Sequence, residues 1–82
     1  MKSLTLEIRT PEKVRFFDRV QSLYARASDG EIGILPGHAA LATKLEPGPL
    51  RFVRESGEEV RLDGTEGFLI VNRNNVSVLL RS

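Results

Sequence analysis

The apolar residues near the start of the chain recur at every second position. Leu4, Leu6 and Ile8 alternate with polar side chains over residues 4–9. Because successive side chains of a strand point to opposite faces, such a segment has one apolar and one polar face. The pattern therefore predicts a half-buried strand of an antiparallel sheet.

Similar short patterns continue to the end of the chain and are separated by turn-forming residues. They predict further strands over residues 13–17, 20–27, 40–45, 50–54, 60–62, 67–71 and 76–80. Val20 is out of phase with Leu23, which predicts a β-bulge between them. No segment has the period of a helix longer than one turn. Eight or nine short strands predict an all-β fold, a flattened antiparallel β-sandwich or barrel formed by a single domain over residues 1–82.

Several turns and buried positions can be predicted individually. In Leu35-Pro36-Gly37, proline presets φ and glycine takes a positive φ, which favours a type II turn. Residues 46–49, Glu-Pro-Gly-Pro, predict another turn, and Asp63-Gly64 predicts a two-residue hairpin. Residues 67–71 are apolar on both faces and predict a strand with little water on either side. We expect all four phenylalanines in the core: Phe16, Phe17, Phe52 and Phe68.

Composition narrows the classes of protein. The 82 residues carry 12 Lys plus Arg and 11 Asp plus Glu, a net charge of +1, without a basic stripe that would indicate nucleic-acid binding. The absence of cysteine excludes a disulfide framework and a thiolate metal site. No apolar run approaches the ~20 residues of a membrane span, and no signal-peptide core follows Met1. These features predict a soluble, cytoplasmic domain.

The most distinctive segment covers residues 28–43. Gly30, Gly33 and Gly37 allow the chain to turn twice, and apolar residues lie between them. One interpretation is that these glycines only form turns. We favour a rigid docking surface, in which charged residues flank Ile32 at the tip of a loop, because exposed apolar clusters often mark interfaces.

Catalytic and metal-binding interpretations are weaker. His38 is the only histidine, so a triad would need it as the base beside Ser28, Thr43 or Asp29, and no nucleophile motif surrounds a serine. A metal site of His38 with Asp29 and Glu31 is a poor match for zinc. Gly30 and Gly33 lack the Lys-Ser/Thr of a phosphate loop. We therefore expect no metal and no cofactor, and we expect His38 to hydrogen-bond a turn or a neighbouring protein.

The same segment resembles a known family. Residues 30–39, Gly-Glu-Ile-Gly-Ile-Leu-Pro-Gly-His-Ala, are similar to the signature of the epsilon subunit of F-type ATP synthase. Similar residues elsewhere are Phe17, Val20, Leu41, Thr43, Leu45, Pro47-Gly48, Gly67-Phe68-Leu69 and Asn75-Val76-Ser77-Val78-Leu79. The resemblance covers essentially the whole chain. It implies the N-terminal domain of that subunit, a flattened β-sandwich of about ten strands.

The resemblance also implies a function. It implies a non-catalytic subunit of the central stalk, or rotor, that couples the gamma subunit to the membrane c ring for proton-driven ATP synthesis. The segment 28–33 would face the c ring, through Asp29, Gly30, Glu31, Ile32 and Gly33. The surface around His38, Ala40 and Thr43 would face gamma. Membrane association, at the cytoplasmic face of the bacterial inner membrane, would be indirect and through the complex.

Two departures from the family pattern are visible. Ala40 and Ala42 stand where the family commonly has proline and a larger residue, so the turn would be less rigid and the contact shallower. Family members usually continue into a C-terminal helical hairpin that can inhibit ATP hydrolysis and in some bacteria binds ATP. The 82 residues contain no counterpart, so we expect neither hairpin inhibition nor a nucleotide site. The alternatives are a free-standing β-barrel module that binds nucleic acid or a peptide and, less favoured, an enzyme.

Overall fold

The computed structural model describes residues 2–82, which fold into eight strands. They are β1 (Leu4–Arg9), β2 (Val14–Ala27), β3 (Gly30–Ile34), β4 (Leu41–Leu45), β5 (Gly48–Arg54), β6 (Glu59–Gly64), β7 (Gly67–Asn72) and β8 (Asn75–Leu80). This confirms the all-β prediction, with eight strands in place of about ten. Within this range, no helix has the length and apolar character needed to cross a membrane.

The strands form two layers that share β2. One layer contains β4, β7, β8, β1 and the first half of β2, and the other contains β3, the second half of β2, β5 and β6. Pairing is antiparallel except between β1 and β8, which run parallel. The apolar side chains between the layers form one core: Leu4, Leu6, Ile8, Val20, Leu23, Ala25, Ile34, Leu45, Leu50, Phe52, Leu69, Val71, Val76, Val78 and Leu80.

The long strand β2 corrects one prediction and confirms another. The prediction of separate strands over residues 13–17 and 20–27 is wrong, because Asp18 and Arg19 pair with β1 instead of forming a connection. Pairing with a neighbouring strand has overridden the low strand preference of Asp18. The predicted bulge is confirmed, since the register with β5 shifts between Val20 and Ser22. The irregularity lies where β2 leaves one layer for the other.

The hairpin predicted at Asp63-Gly64 is wrong. Both residues belong to β6 and pair with Pro49 and Gly48 of β5. The chain leaves β6 through residues 65 and 66 and enters β7, which lies in the other layer, so no tight hairpin can join the two strands. The turn predicted over 46–49 is also shorter than expected, because β5 begins at Gly48.

Two burial predictions are also wrong. Leu69 and Val71 of β7 lie in the core, but Phe68 is 56% exposed and Ile70 is 41% exposed on the other face. That face is the outer side of its layer, so these side chains project away from the core. Phe17 is likewise 67% exposed. Phe52 is buried as predicted, and Phe16 packs against it across the layers with ring centroids 4.4 Å apart.

Candidate docking surfaces

The segment 28–43 is a strand between two turns, not one continuous loop. Gly30 has a φ of 123° beside the tight turn that reverses β2 into β3. Gly37 has a φ of 88°, and the His38 N–H donates to the Leu35 carbonyl oxygen at 3.0 Å, which confirms the type II turn. The two turns lie at opposite ends of β3, about 13 Å apart at the usual rise of a strand. The single docking surface predicted over this segment is therefore divided into two.

The middle glycine has a packing role. A Cβ atom on Gly33 would lie 2.9 Å from Cε1 of Tyr24, whose ring occupies that space. The guanidinium carbon of Arg51 lies 4.3 Å from the centre of the same ring, and an Arg51 nitrogen lies 3.7 Å from a Glu31 carboxylate oxygen. Each of these surface contacts is individually weak. Together they link the Glu31 carboxylate to the Tyr24 ring through Arg51.

We define the hairpin tip as residues 28–31, at the β2–β3 turn. Asp29, Gly30 and Glu31 are exposed there, as is Gly33 further along β3. Ile32 does not join them. It points inward with Ile34 and packs against the core, since side chains alternate along the strand. The interpretation of Ile32 as an exposed apolar anchor is therefore wrong, and the tip is polar.

The predicted gamma-facing residues lie near the other end of β3 and on β4. His38 is half-buried, and its Nδ1 donates to the Ala39 carbonyl oxygen at 2.8 Å, in line with the expected turn contact. Ala40 is exposed just before β4. Thr43 is half-buried and pairs with Leu69 of β7.

These positions do not assemble a catalytic or metal site. Ser28, Asp29 and Glu31 belong to the hairpin tip, whereas His38 follows the turn at the far end of β3. A triad or metal site that combines them would need side chains from both ends of the strand. Over residues 2–82, no three His, Cys, Asp or Glu side chains are grouped so that they could hold a metal ion.

The structure adds an apolar surface that the sequence interpretation missed. We call it the β7 face: Ala42, Phe68, Ile70 and Leu79 on the outer side of β4, β7 and β8. These residues, with Thr43 and Lys44, line a shallow depression of about 350 Å³.

The β7 face has cations on both sides. In one row of paired residues, Lys44 lies next to Phe68, Phe68 next to Leu79, and Leu79 next to Arg9. The apolar centre of this row is therefore flanked by Lys44 on β4 and by Arg9 on β1, and the Arg9 guanidinium is paired with the Glu7 carboxylate at 3.3 Å. A contiguous exposed apolar patch with a charged rim is typical of a protein interface.

The sequence does contain a signal for this surface. Phe68 and Ile70 make β7 apolar on its second face, and Leu79 is apolar at a position where the alternation of β8 calls for a polar residue. Apolar residues on both faces of β7 predict burial on both sides of this strand. A strand with one buried face and one exposed apolar face that binds a partner has the same pattern.

The fold is that of a small β-sandwich domain. More specifically, residues 3–82 match the family described as the ATP synthase delta/epsilon chain, beta-sandwich domain. The chain belongs to this family, and the resemblance to the epsilon subunit is confirmed.

Individual relatives agree with the family. The chain is 46% identical over 79 residues to the ATP synthase epsilon chain of Chromohalobacter salexigens, which covers 96% of this chain and 56% of that protein. It is 37% identical over 79 residues to the epsilon chain of Brevibacillus brevis, covering 96% and 60%. The chain thus spans between 56% and 60% of the length of these two relatives.

A solved structure supports the fold. The chain is similar to part of the mitochondrial ATP synthase of Euglena gracilis, in a cryo-EM structure of its OSCP, F1 and c-ring parts, with a TM-score of 0.92 and 24% identity. The match covers 98% of this chain and 51% of that one. At this identity the likeness concerns the fold alone.

Proposed function

We propose that this chain is a non-catalytic coupling domain of the rotor of an F-type ATP synthase. In this role it binds the gamma subunit through one surface and the c ring through another. It contributes to proton-driven ATP synthesis by holding these two partners in a fixed geometry, without bond chemistry of its own. It lies at the cytoplasmic face of the bacterial inner membrane, attached only through the complex.

The observation that carries this proposal is the exposed β7 face beside the predicted gamma-facing residues. Ala40 leads directly into β4, and Thr43 lines the same depression as Phe68 and Ile70. Buried aromatic and aliphatic anchors supply most of the binding energy of an interface. We assign gamma to this surface, with His38 and Ala40 at its margin.

The polar hairpin tip supports the assignment of the c ring. Asp29 and Glu31 are exposed at the end of β3 away from His38, so a second partner can bind there without covering the first surface. Charged rims speed association and fix register more than they add affinity. Such a contact suits a partner with polar loops.

The gamma assignment can be tested with a matched pair of phenylalanines. Phe68 and Phe17 are both more than half exposed, but only Phe68 lies on the β7 face. We expect Phe68→Ser to weaken binding of purified gamma to the 82-residue chain by about 30-fold, the loss of one interface anchor. Phe17→Ser should leave the affinity within about twofold.

Calorimetric titration of gamma against the three proteins gives these affinities, and circular dichroism verifies that each variant is folded. Equal affinities for wild type and Phe68→Ser would contradict the use of the β7 face. Failure of the wild type to bind gamma at all would contradict the proposed function itself.

The c-ring assignment needs a charge test. Asp29→Asn removes a carboxylate from the hairpin tip, and Glu55→Gln removes one from the β5–β6 turn at the other end of the sandwich. We expect only Asp29→Asn to slow the association of purified c ring with the complex that this chain forms with gamma. The difference in association rate should be largest at low salt. Equal rates for the two variants would contradict the assignment.

A further inference from the structure

The six residues that connect β3 to β4, Leu35 to Ala40, pass from one layer to the other without strand pairing. Inside this connection, the His38 N–H closes the turn onto Leu35. A second hydrogen bond leaves the connection: the Gly37 N–H donates to Oδ1 of Asn74 at 2.9 Å. Among the hydrogen bonds of residues 2–82, it is the one that ties the connection to another element.

Asn74 is well placed to act as a fixed acceptor. It lies in the turn between β7 and β8, which is closed by the pairing of Asn72 with Asn75. Its own carbonyl oxygen accepts the N–H of Thr5, at the start of β1, at 2.8 Å. Asn74 is therefore held from two directions by backbone contacts that do not involve its side chain.

Apart from the hydrogen bond that closes the turn onto Leu35, no packing within residues 2–82 restrains the residue that Asn74 holds. A Cβ atom on Gly37 would meet no atom within 4 Å, and its φ of 88° is one that glycine adopts without cost. Glycine has the largest conformational freedom of any residue, so an unanchored turn would sample many orientations. A partner that binds such a turn must order it first, which lowers affinity.

We propose that Asn74 is a positioning residue for the surface around His38. Its side-chain oxygen fixes Gly37 and thereby presents His38 and Ala40 in one orientation to the gamma subunit. The part of this inference that concerns gamma rests on the proposed function. The part that concerns the turn does not.

The turn is tested first, in the free chain. Asn74→Ala removes the acceptor, Asn74→Asp keeps an oxygen at the same place, and Asn72→Ala is the control on the same hairpin. We expect Asn74→Ala to raise the hydrogen-exchange rate of the Gly37 amide, measured by NMR, about threefold to tenfold. The other two variants should stay within about twofold of wild type. An unchanged Gly37 rate in Asn74→Ala would overturn the proposal.

The same four proteins are then titrated with purified gamma. Asn74→Ala should bind about threefold to tenfold more weakly, and Asn74→Asp should recover the affinity, which a general loss of stability would not produce. If wild type binds gamma and Asn74→Ala binds equally well despite faster exchange at Gly37, the positioning role is overturned. If wild type does not bind gamma, the proposed function fails, and the exchange rates alone decide whether Asn74 holds the turn.

Discussion

Replacing Gly67 by alanine should destabilise the domain more than any other glycine substitution of comparable size. Gly67 begins β7 and is paired on both sides, with Leu45 of β4 and Leu80 of β8. A Cβ atom there would collide with the carbonyl oxygen of Leu79. It would also lie 3.0 Å from the Leu79 carbonyl carbon and 3.1 Å from the Leu80 Cα. All three atoms belong to the backbone of a paired strand, so no rotamer change can relieve the contact.

The size of the expected stability loss follows from the shift of β8 that the added methyl group requires. Forcing an extra carbon into a packed site costs about 1–3 kcal/mol, and each ladder hydrogen bond distorted by the shift of β8 costs about 0.5–1.5 kcal/mol. Removing a glycine from the unfolded chain returns about 0.4–1 kcal/mol. We expect a net loss of about 2–3 kcal/mol in the free energy of unfolding. For a domain of this length, that lowers Tm by about 10–20 °C.

Gly57→Ala is the matched control. Gly57 lies in the β5–β6 turn with a φ of 96°, and a Cβ atom there would meet no atom within 4 Å, so alanine is strained but does not clash. The net cost should be about 1 kcal/mol or less. Urea denaturation of the three proteins measures both losses. If Gly67→Ala loses no more stability than Gly57→Ala, the steric reasoning is refuted.

Further predictions concern stability. Arg73 has a φ of 60°, so Arg73→Gly should raise the free energy of unfolding by about 0.5–1 kcal/mol, and a lower urea midpoint would contradict this. Phe52→Ala should cost about 3–5 kcal/mol, whereas Phe17→Ala should stay within about 0.5 kcal/mol in thermal unfolding, because only Phe52 is buried. Arg51→Ala removes the contacts with Tyr24 and Glu31 and should lower the free energy of unfolding by less than about 1 kcal/mol in thermal unfolding. A larger loss would show that these contacts stabilise the domain more than surface contacts usually do.

Local rules predict the strands and some of the turns well. The alternation at Leu4, Leu6 and Ile8 specifies which face of β1 is buried, because one face of a strand must meet the core. The Pro36-Gly37 turn and the bulge after Val20 follow from backbone preferences that act within a few residues. Such features need no knowledge of the partner strand.

The wrong predictions have a different cause, since they depend on which strands become neighbours. Asp63-Gly64 favours a hairpin locally, but β6 pairs with β5 and is followed by a strand of the other layer. The placement of Ile32 at a loop tip fails because the pairing of β3 with β2 is not visible in the sequence. The placement of Phe68 and Ile70 in the interior fails because the apolar pattern does not show that the second face of β7 lies on the outer side of its layer.

Since β2 belongs to both layers, a single run of covalent bonds joins the layer that carries the hairpin tip to the layer that carries the β7 face. Under the proposed function, a twisting load that enters at one partner can reach the other along this extended backbone without depending on side-chain packing. A cavity in the core would then lower the melting temperature of the domain well before it reduced the stiffness of the connection that β2 makes between the two layers.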